Sequence, residues 1–233
     1  MLARKTPADK ARAGAPAAIQ LYTWPTPNGR KVSIMLEECG LAYETHLIDL
    51  QAGKQFGSAF LAISPNNKIP AIIDPDGPDG SAVTLFESGA ILQYLARKTG
   101  RFYGAGEAGR ILVDQWLFWQ AAGLGPMAEQ AQHFTDETSV PQAYAQARFS
   151  DEVSRLYGVL EARLARTPCL AGDYSIADMA CVCWILQWRR QGQHIGEFPN
   201  ISRWLTTLEA RPAVARALAP EAAGAGMRRE LPA

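Results

Sequence analysis

The sequence predicts an α/β unit with the element order β-α-β-α-β-β-α, followed by an all-helical unit. Three observations carry that prediction. Short β-type runs alternate with helical patterns before Gly100. The glycine-rich stretch Gly100–Gly109 then interrupts the chain. Beyond it the apolar residues recur at helical spacing. The expected division is an extension over 1–18, an α/β unit over 19–104, a helical unit over 110–219 and a tail over 220–233.

Ile19–Thr23 is the first β-type run. Pro27 then suits the first turn of a helix, where its missing N–H costs nothing. Val32, Met35, Leu36 and Cys39 follow at i, i+3, i+4 and i+7, and Gly40 ends the stripe. Ala42–Ile48 alternates and reads as a strand, and residues 55–63 read as a short helix or irregular segment. Ile69–Ile73 and Ala82–Leu85 read as two strands separated by the turn-rich run Asp74–Gly80. A helix begins near Glu87 and carries Ile91, Leu92 and Leu95. Strand, crossover helix and strand imply a parallel pair, and the later close strands imply a hairpin. In the second half, Val153, Leu156, Tyr157, Leu160 and Leu164 form one stripe; Ile176, Met179, Ala180, Cys183 and Trp184 form another. Ser175-Ile-Ala-Asp178 has the capping-box form ahead of that second stripe.

Hydrophobic residues make up 48% of the 233 residues, and 23 Lys and Arg balance 23 Asp and Glu. That composition supports a sizeable core and gives no general electrostatic reason to bind nucleic acid or an anionic membrane. No apolar run is long enough to span a bilayer, and no apolar region follows the basic residues Arg4, Lys5, Lys10 and Arg12 in the manner of a secretory signal. Ala, Gly and Pro dominate 11–18, which reads as a disordered extension. The four cysteines, Cys39, Cys169, Cys181 and Cys183, form no CxxC and no metal-ligand spacing with His46, His133 and His194. No metal is expected, and few unpaired thiols suit the reducing cytoplasm. Cys181 and Cys183 fall on helix faces about 200° apart and read as inert core thiols.

Three segments of the first unit can carry chemistry, and each also has a plain structural explanation. Trp24-Pro-Thr-Pro-Asn-Gly-Arg30 joins strand to helix. Free N–H groups and the helix dipole favour an anion there, Thr26 and Asn28 add donors, and a thiolate at that position would have a lowered pKa. The plain reading is an ordinary N-cap, since Thr and Asn are common at caps. Ser64-Pro-Asn-Asn-Lys-Ile-Pro-Ala71 places a proline at the entry to a strand. A cis Ile69-Pro70 bond would offer the Ile69 backbone to an extended peptide, whereas a simple turn is the other reading. Leu85-Phe-Glu-Ser-Gly-Ala90 opens a helix with a carboxylate and a hydroxyl. Ser88 and the N–H groups suit a ligand carboxylate and Glu87 a ligand ammonium; alternatively the acidic residue complements the dipole. Together the three outline a site for a small peptide with a thiol, a peptide bond and an amino-acid end.

These motifs strongly resemble the glutathione transferase family over residues 19–104, and 110–219 continue the resemblance through Gln115-Trp-Leu-Phe-Trp119 and Gly123-Leu-Gly-Pro-Met127. The run Thr26-Pro-Asn-Gly-Arg-Lys-Val32, with Ile63–Ile72 and Leu85–Leu92, is similar to the nu-class, a bacterial group related to fungal nitrogen-regulator proteins. The resemblance implies a thioredoxin-like first domain, a homodimer and glutathione as co-substrate. It implies that Thr26 and Asn28 contact the glutathione sulfur, Gln55 and Lys68 the glycine end, Ile69 the cysteinyl backbone, and Glu87 with Ser88 the γ-glutamyl group. It further implies that Arg148 reaches toward bound glutathione or its disulfide; a solvent-facing helix arginine is the plain alternative.

The chain departs from the family where many members carry a tyrosine: Trp24 occupies that position, and Tyr22 lies two residues earlier. Other classes place a cysteine near this helix start. Here the nearest is Cys39, about 12 residues on, or roughly 18 Å along a helix. The reactive sulfur is therefore expected to be glutathione's own. The function implied is glutathione-dependent reduction of small disulfides or peroxides, with modest conjugation of electrophiles. Conventional conjugation and a non-catalytic regulatory role on the same fold stay open at this point. Trp116, Phe118 and Trp119 could line an electrophile pocket or serve as core aromatics, and His133-Phe134 could approach the second substrate or stand exposed.

Overall fold

A computed structural model describes residues 18–139 and 142–219, together with the strand at 228–230. The expected extension, 1–18, lies outside the described residues apart from its last position, and so does the tail except for that strand.

The elements of the first half are β1 (Ile19–Thr23), α1 (Pro27–Cys39), β2 (Tyr43–Leu47), a 3-10 turn at Lys54–Phe56 running into α2 (Ser58–Leu61), β3 (Ala71–Asp74), β4 (Val83–Phe86) and α3 (Ser88–Thr99). The strand order is β4-β3-β1-β2. β1 and β2 are parallel, with Ile19 opposite Tyr43 and Thr23 opposite Leu47. β3 runs antiparallel to both β1 and β4. This is the β-α-β-α-β-β-α thioredoxin-like arrangement. β5 (Arg228–Glu230) adds a parallel strand to the outer edge of β2, in a segment where the sequence predicts only a tail.

Local sequence explains the boundaries. Thr26 caps α1 by accepting the Gly29 N–H at 3.3 Å, Pro27 occupies the first turn, and Gly40 closes the helix at φ 65°. The third strand starts at Ala71 and not at Ile69 as expected, because Pro70 has no N–H for the ladder. The Ile69-Pro70 bond is cis. α3 starts at Ser88, which leaves Glu87 as the hinge between strand and helix.

The second half comprises α4 (Gly106–Trp119), α5 (Gly125–Gln132), α6 (Ala143–Leu164), α7 (Ile176–Ile185), α8 (Pro199–Glu209) and α9 (Pro212–Leu218). Two wide π-turns, Gln120–Leu124 and His133–Glu137, extend α4 and α5 into one continuous rod. A π-turn just ahead of Pro126 relaxes the ladder where proline could not donate, and such turns gather at functional sites. α7 begins at the expected capping box. Asp178 accepts the Ser175 N–H at 3.0 Å, and it also takes the Leu170 N–H and the Trp204 indole N–H, each at 3.0 Å.

One apolar core runs through both halves. Leu21, Ile34 and Met35 of the first half and Met179, Val182 and Ile185 of the second belong to it, and α1 packs against both α7 and α9. The opposite face of the sheet carries a smaller cluster of Tyr22, Ile48, Phe60 and Ala71. Two of the buried polar side chains, Lys31 and Gln120, lie where α1, α3, the first π-turn and α7 meet.

Candidate functional site

Two adjoining cavities open at that meeting point. One, of about 280 Å³, is lined by Thr26, Asn28, Gln55, Lys68 and Ile69. The other, of about 360 Å³, is lined by Asn28, Lys31, Glu87, Ser88, Phe118 and Gln120. Asn28, Glu129 and Trp184 line both. The fold thus brings together seven of the eight residues singled out from sequence.

The start of α1 forms the wall between the cavities. Thr26 Oγ1 is engaged as a cap acceptor, which leaves its proton free to donate elsewhere. Gly29 is required: a Cβ there would lie 2.3 Å from Thr23 Oγ1 and 2.5 Å from the Trp24 carbonyl. Asn28 Oδ1 accepts the indole N–H of Trp184 at 3.3 Å. That leaves the two amide N–H donors of Asn28 for the cavities, beside the positive end of a 13-residue helix.

At the β4–α3 junction, Glu87 has φ 69° and ψ 113°, a backbone state that side-chain-bearing residues rarely hold. It carries the exposed carboxylate over the N-terminus of α3. Beneath it lies a group the sequence did not suggest. Lys31 is 2% exposed, and its ammonium donates to Gln120 Oε1 at 2.7 Å and to Ser88 Oγ at 3.4 Å. Burial pulls the Lys31 pKa down to about 8, against the opposing pull of the Glu87 carboxylate. A signal existed: Lys31 stands four residues before the core Met35, so a charge falls on the buried stripe of α1. Trp184 and Gln120 carried no such signal, because their partners are remote in sequence.

Across the first cavity, Ser64 Oγ donates to the Lys68 carbonyl at 2.9 Å and Asn67 takes φ 49°, a turn that presents Lys68 and Ile69. Gln55 Nε2 donates to the Leu50 carbonyl at 3.4 Å. Arg148 is the residue not brought to either cavity: it is exposed on α6 and lines a neighbouring groove with Met127 and Phe149. Tyr22 faces away from the site. Its ring stacks on His46 at 4.6 Å, and burial raises its phenol pKa. No cysteine lines either cavity. Burial raises the Cys169 and Cys183 thiols to about 12 and Cys181 well above its ordinary value, so these are inert core thiols. Of the second-half aromatics, Phe118 lines the larger cavity, while Trp116 and Trp119 pack edge-to-face on each other against the core. His133 sits edge-on to Phe134, which stacks on Phe149 beside the Arg148 groove. Among the described residues no group of three or more His, Cys, Asp or Glu could hold a metal ion, and no helix is long and apolar enough to cross a membrane.

Residues 26–98 match the family described as "Glutathione S-transferase, N-terminal domain", and residues 126–212 match "Glutathione S-transferase, C-terminal domain". The chain is 48% identical over 202 residues to the disulfide-bond oxidoreductase YfcG of Escherichia coli, an alignment covering 86% of this chain and 94% of that one. It superposes with a TM-score of 0.84 on a glutathione transferase from Burkholderia graminis that holds two glutathione molecules per subunit, at 44% identity and over 93% and 94% of the two chains. A glutathione transferase from Pseudomonas putida with one glutathione disulfide per subunit is similar at a TM-score of 0.84 and 42% identity, over 92% and 96%.

Proposed function

The chain belongs to the glutathione S-transferase family, and from that premise we propose that it is a nu-class-like enzyme that uses the thiolate of bound glutathione to reduce small disulfides. The observation that carries this reading is the pairing of a thiolate-favouring helix start, Thr26 and Asn28, with the absence of any cysteine from either cavity wall. The reacting sulfur must then arrive with the ligand. The relatives that hold two glutathione molecules or one glutathione disulfide per subunit support a site able to take both halves of the product.

In this reading Gln55 and Lys68 bind the glycine carboxylate, the Ile69 backbone pairs with the cysteinyl unit, and Glu87 and Ser88 take the γ-glutamyl ammonium and carboxylate. Arg148, on the separate groove that it lines with Met127 of α5, is assigned to the outer end of a second glutathione. The first thiolate attacks one sulfur of the substrate disulfide, forming a mixed disulfide and releasing a thiolate that is protonated to the thiol. A second glutathione thiolate attacks the glutathione sulfur of that mixed disulfide. Glutathione disulfide forms and the second substrate thiol leaves. Two glutathione thiols are oxidised and one substrate disulfide is reduced. With a peroxide the same two thiols yield glutathione disulfide, an alcohol and water. A conjugation step needs only one glutathione and an electrophile with a leaving group. The division of labour follows the two units, 19–104 for glutathione and 110–219 for the second cavity wall. The four free thiols suit the reducing cytoplasm.

The deciding experiment is a steady-state panel with hydroxyethyl disulfide, cumene hydroperoxide and a chloronitrobenzene, beside calorimetry with glutathione. Disulfide turnover well above the other two supports the reading. Tight glutathione binding with no turnover of any substrate replaces it with a non-catalytic binding role, and dominant chloronitrobenzene turnover replaces it with conventional conjugation.

A further inference from the structure

The larger cavity has a floor that the glutathione reading does not use. Lys31 and Gln120 are 2% and 1% exposed, and both line it. The amide oxygen of Gln120 is taken by Lys31 at 2.7 Å. Its amide nitrogen is buried and has no hydrogen-bond partner among the described residues. Such a donor costs stability unless something accepts from it. Gly125 keeps space for it, since a Cβ there would lie 2.6 Å from that nitrogen. A buried ammonium, an unpartnered amide N–H donor and a serine hydroxyl therefore face one space, whose rim carries the carboxylates of Glu87 and Glu129.

The direction of the Ser88 hydroxyl follows from Lys31. An ammonium only donates, so Ser88 Oγ must accept at 3.4 Å and its own proton turns elsewhere, toward the cavity. One cation with two neutral donors below and two carboxylates above make a dipolar cradle matched to a zwitterion. A ligand carboxylate lies over Ser88, Lys31 and Gln120, and a ligand ammonium lies under the rim carboxylates.

We propose that Lys31 and Gln120 are a buried positioning pair that selects thiols carrying a free amino-acid carboxylate, by orienting Ser88 and supplying the positive field under that carboxylate. This rests on the glutathione reading of the site and adds its specificity determinant. The selected ligand class is the γ-glutamyl thiols with an intact α-carboxylate. A thiol peptide whose γ-glutamyl unit has lost that carboxylate keeps every contact to Gln55, Lys68 and Ile69 but leaves the floor unpaired.

The test compares glutathione with 4-aminobutyryl-cysteinylglycine, which lacks only the α-carboxylate, by calorimetry at neutral pH. The wild type is expected to prefer glutathione by roughly tenfold or more, the scale of one charge-assisted hydrogen bond. Lys31→Met is expected to lower that preference to within about threefold, chiefly by weakening glutathione. A purely structural lysine would weaken both ligands alike, so an unchanged preference in Lys31→Met overturns the proposal. Equal binding of both ligands by the wild type also overturns it while leaving the glutathione reading intact. Failure of the wild type to bind glutathione at all instead removes the reading beneath it. Gln120→Leu gives a second measurement, with a partial loss of preference expected, and it decides the matter alone should Lys31→Met not fold.

Discussion

Trp184 donates its indole N–H to Asn28 Oδ1 at 3.3 Å, across 156 residues of sequence. An indole nitrogen can only donate, so the bond fixes which way the Asn28 amide faces and leaves its two N–H donors for the ligand. The helical half thereby sets the chemistry at the start of α1. Trp184→Phe should free the amide to flip. Disulfide reduction should fall about two- to tenfold in kcat/KM, the scale of one neutral hydrogen bond. An unaltered kcat/KM in a folded Trp184→Phe protein would show that the indole has no part in the site.

Thr26 has two duties, and a substitution should reveal both. Its oxygen caps α1, so Thr26→Ala should cost about 1 kcal/mol of stability in urea titrations. Its hydroxyl proton should also favour the glutathione thiolate, so the same variant should raise the apparent pKa of bound glutathione and slow reduction near neutral pH. Replacing all four cysteines with alanine should leave that pKa in place, because none of them lines a cavity. Loss of reductase activity in a cysteine-free protein that still binds glutathione, with Thr26→Ala fully active, would refute ligand-thiolate chemistry.

Glu87 combines a positive φ with a functional carboxylate. Glu87→Ala should weaken glutathione by roughly tenfold or more while affecting the chemical step less, since a charged hydrogen bond is lost on binding. Glu87→Gly should lose the same affinity yet be more stable than Glu87→Ala by about 1 kcal/mol, because glycine holds φ 69° without strain. Calorimetry and chemical denaturation measure the two effects separately. Equal stability of the Ala and Gly variants would mean that the junction stores no strain.

Lys31 should make stability depend on pH. Burial lowers its pKa in the folded protein to about 8, against about 10.4 in an unfolded chain. Between those values the unfolded chain binds the extra proton, so the lysine destabilises the fold at and below pH 8 and this cost disappears as pH rises. The groups facing it are Glu87, Glu129, and the Cys181 and Cys183 thiols, which burial keeps neutral in this range. Relative to Lys31→Met, the wild type should gain on the order of 2 kcal/mol in unfolding free energy from pH 7 to pH 10. A difference independent of pH would mean that Lys31 is not buried as a charge.

Ile111 and Phe118 stand exposed on α4 at 52% and 63%, seven residues apart and so on one face. Phe118 also lines the larger cavity. A two-fold homodimer that buries this face would be isologous and would set the site beside the interface. Sedimentation velocity at micromolar concentration should give a dimer for the wild type and monomer for Phe118→Glu. A monomeric wild type would exclude this assembly.

The sequence by itself determined the element order of the first half, the capping of α1 and α7, and the segments that meet at the site. Each of these is local: the cap of Thr26, the stop at Gly40 and the box of Ser175 with Asp178 act within one helical turn. β3 starts at Ala71, two residues beyond the expected Ile69, because Pro70 has no N–H to give the ladder. Only the tertiary structure decided which partners those segments receive. Trp184 reaches Asn28 and Gln120 reaches Lys31 because α7 and the first π-turn pack against α1, a relation that no spacing along the chain encodes. Arg148 went to a separate groove for the same reason. A helix stripe fixes the face on which a residue lies, and the packing of the helix fixes what that face meets.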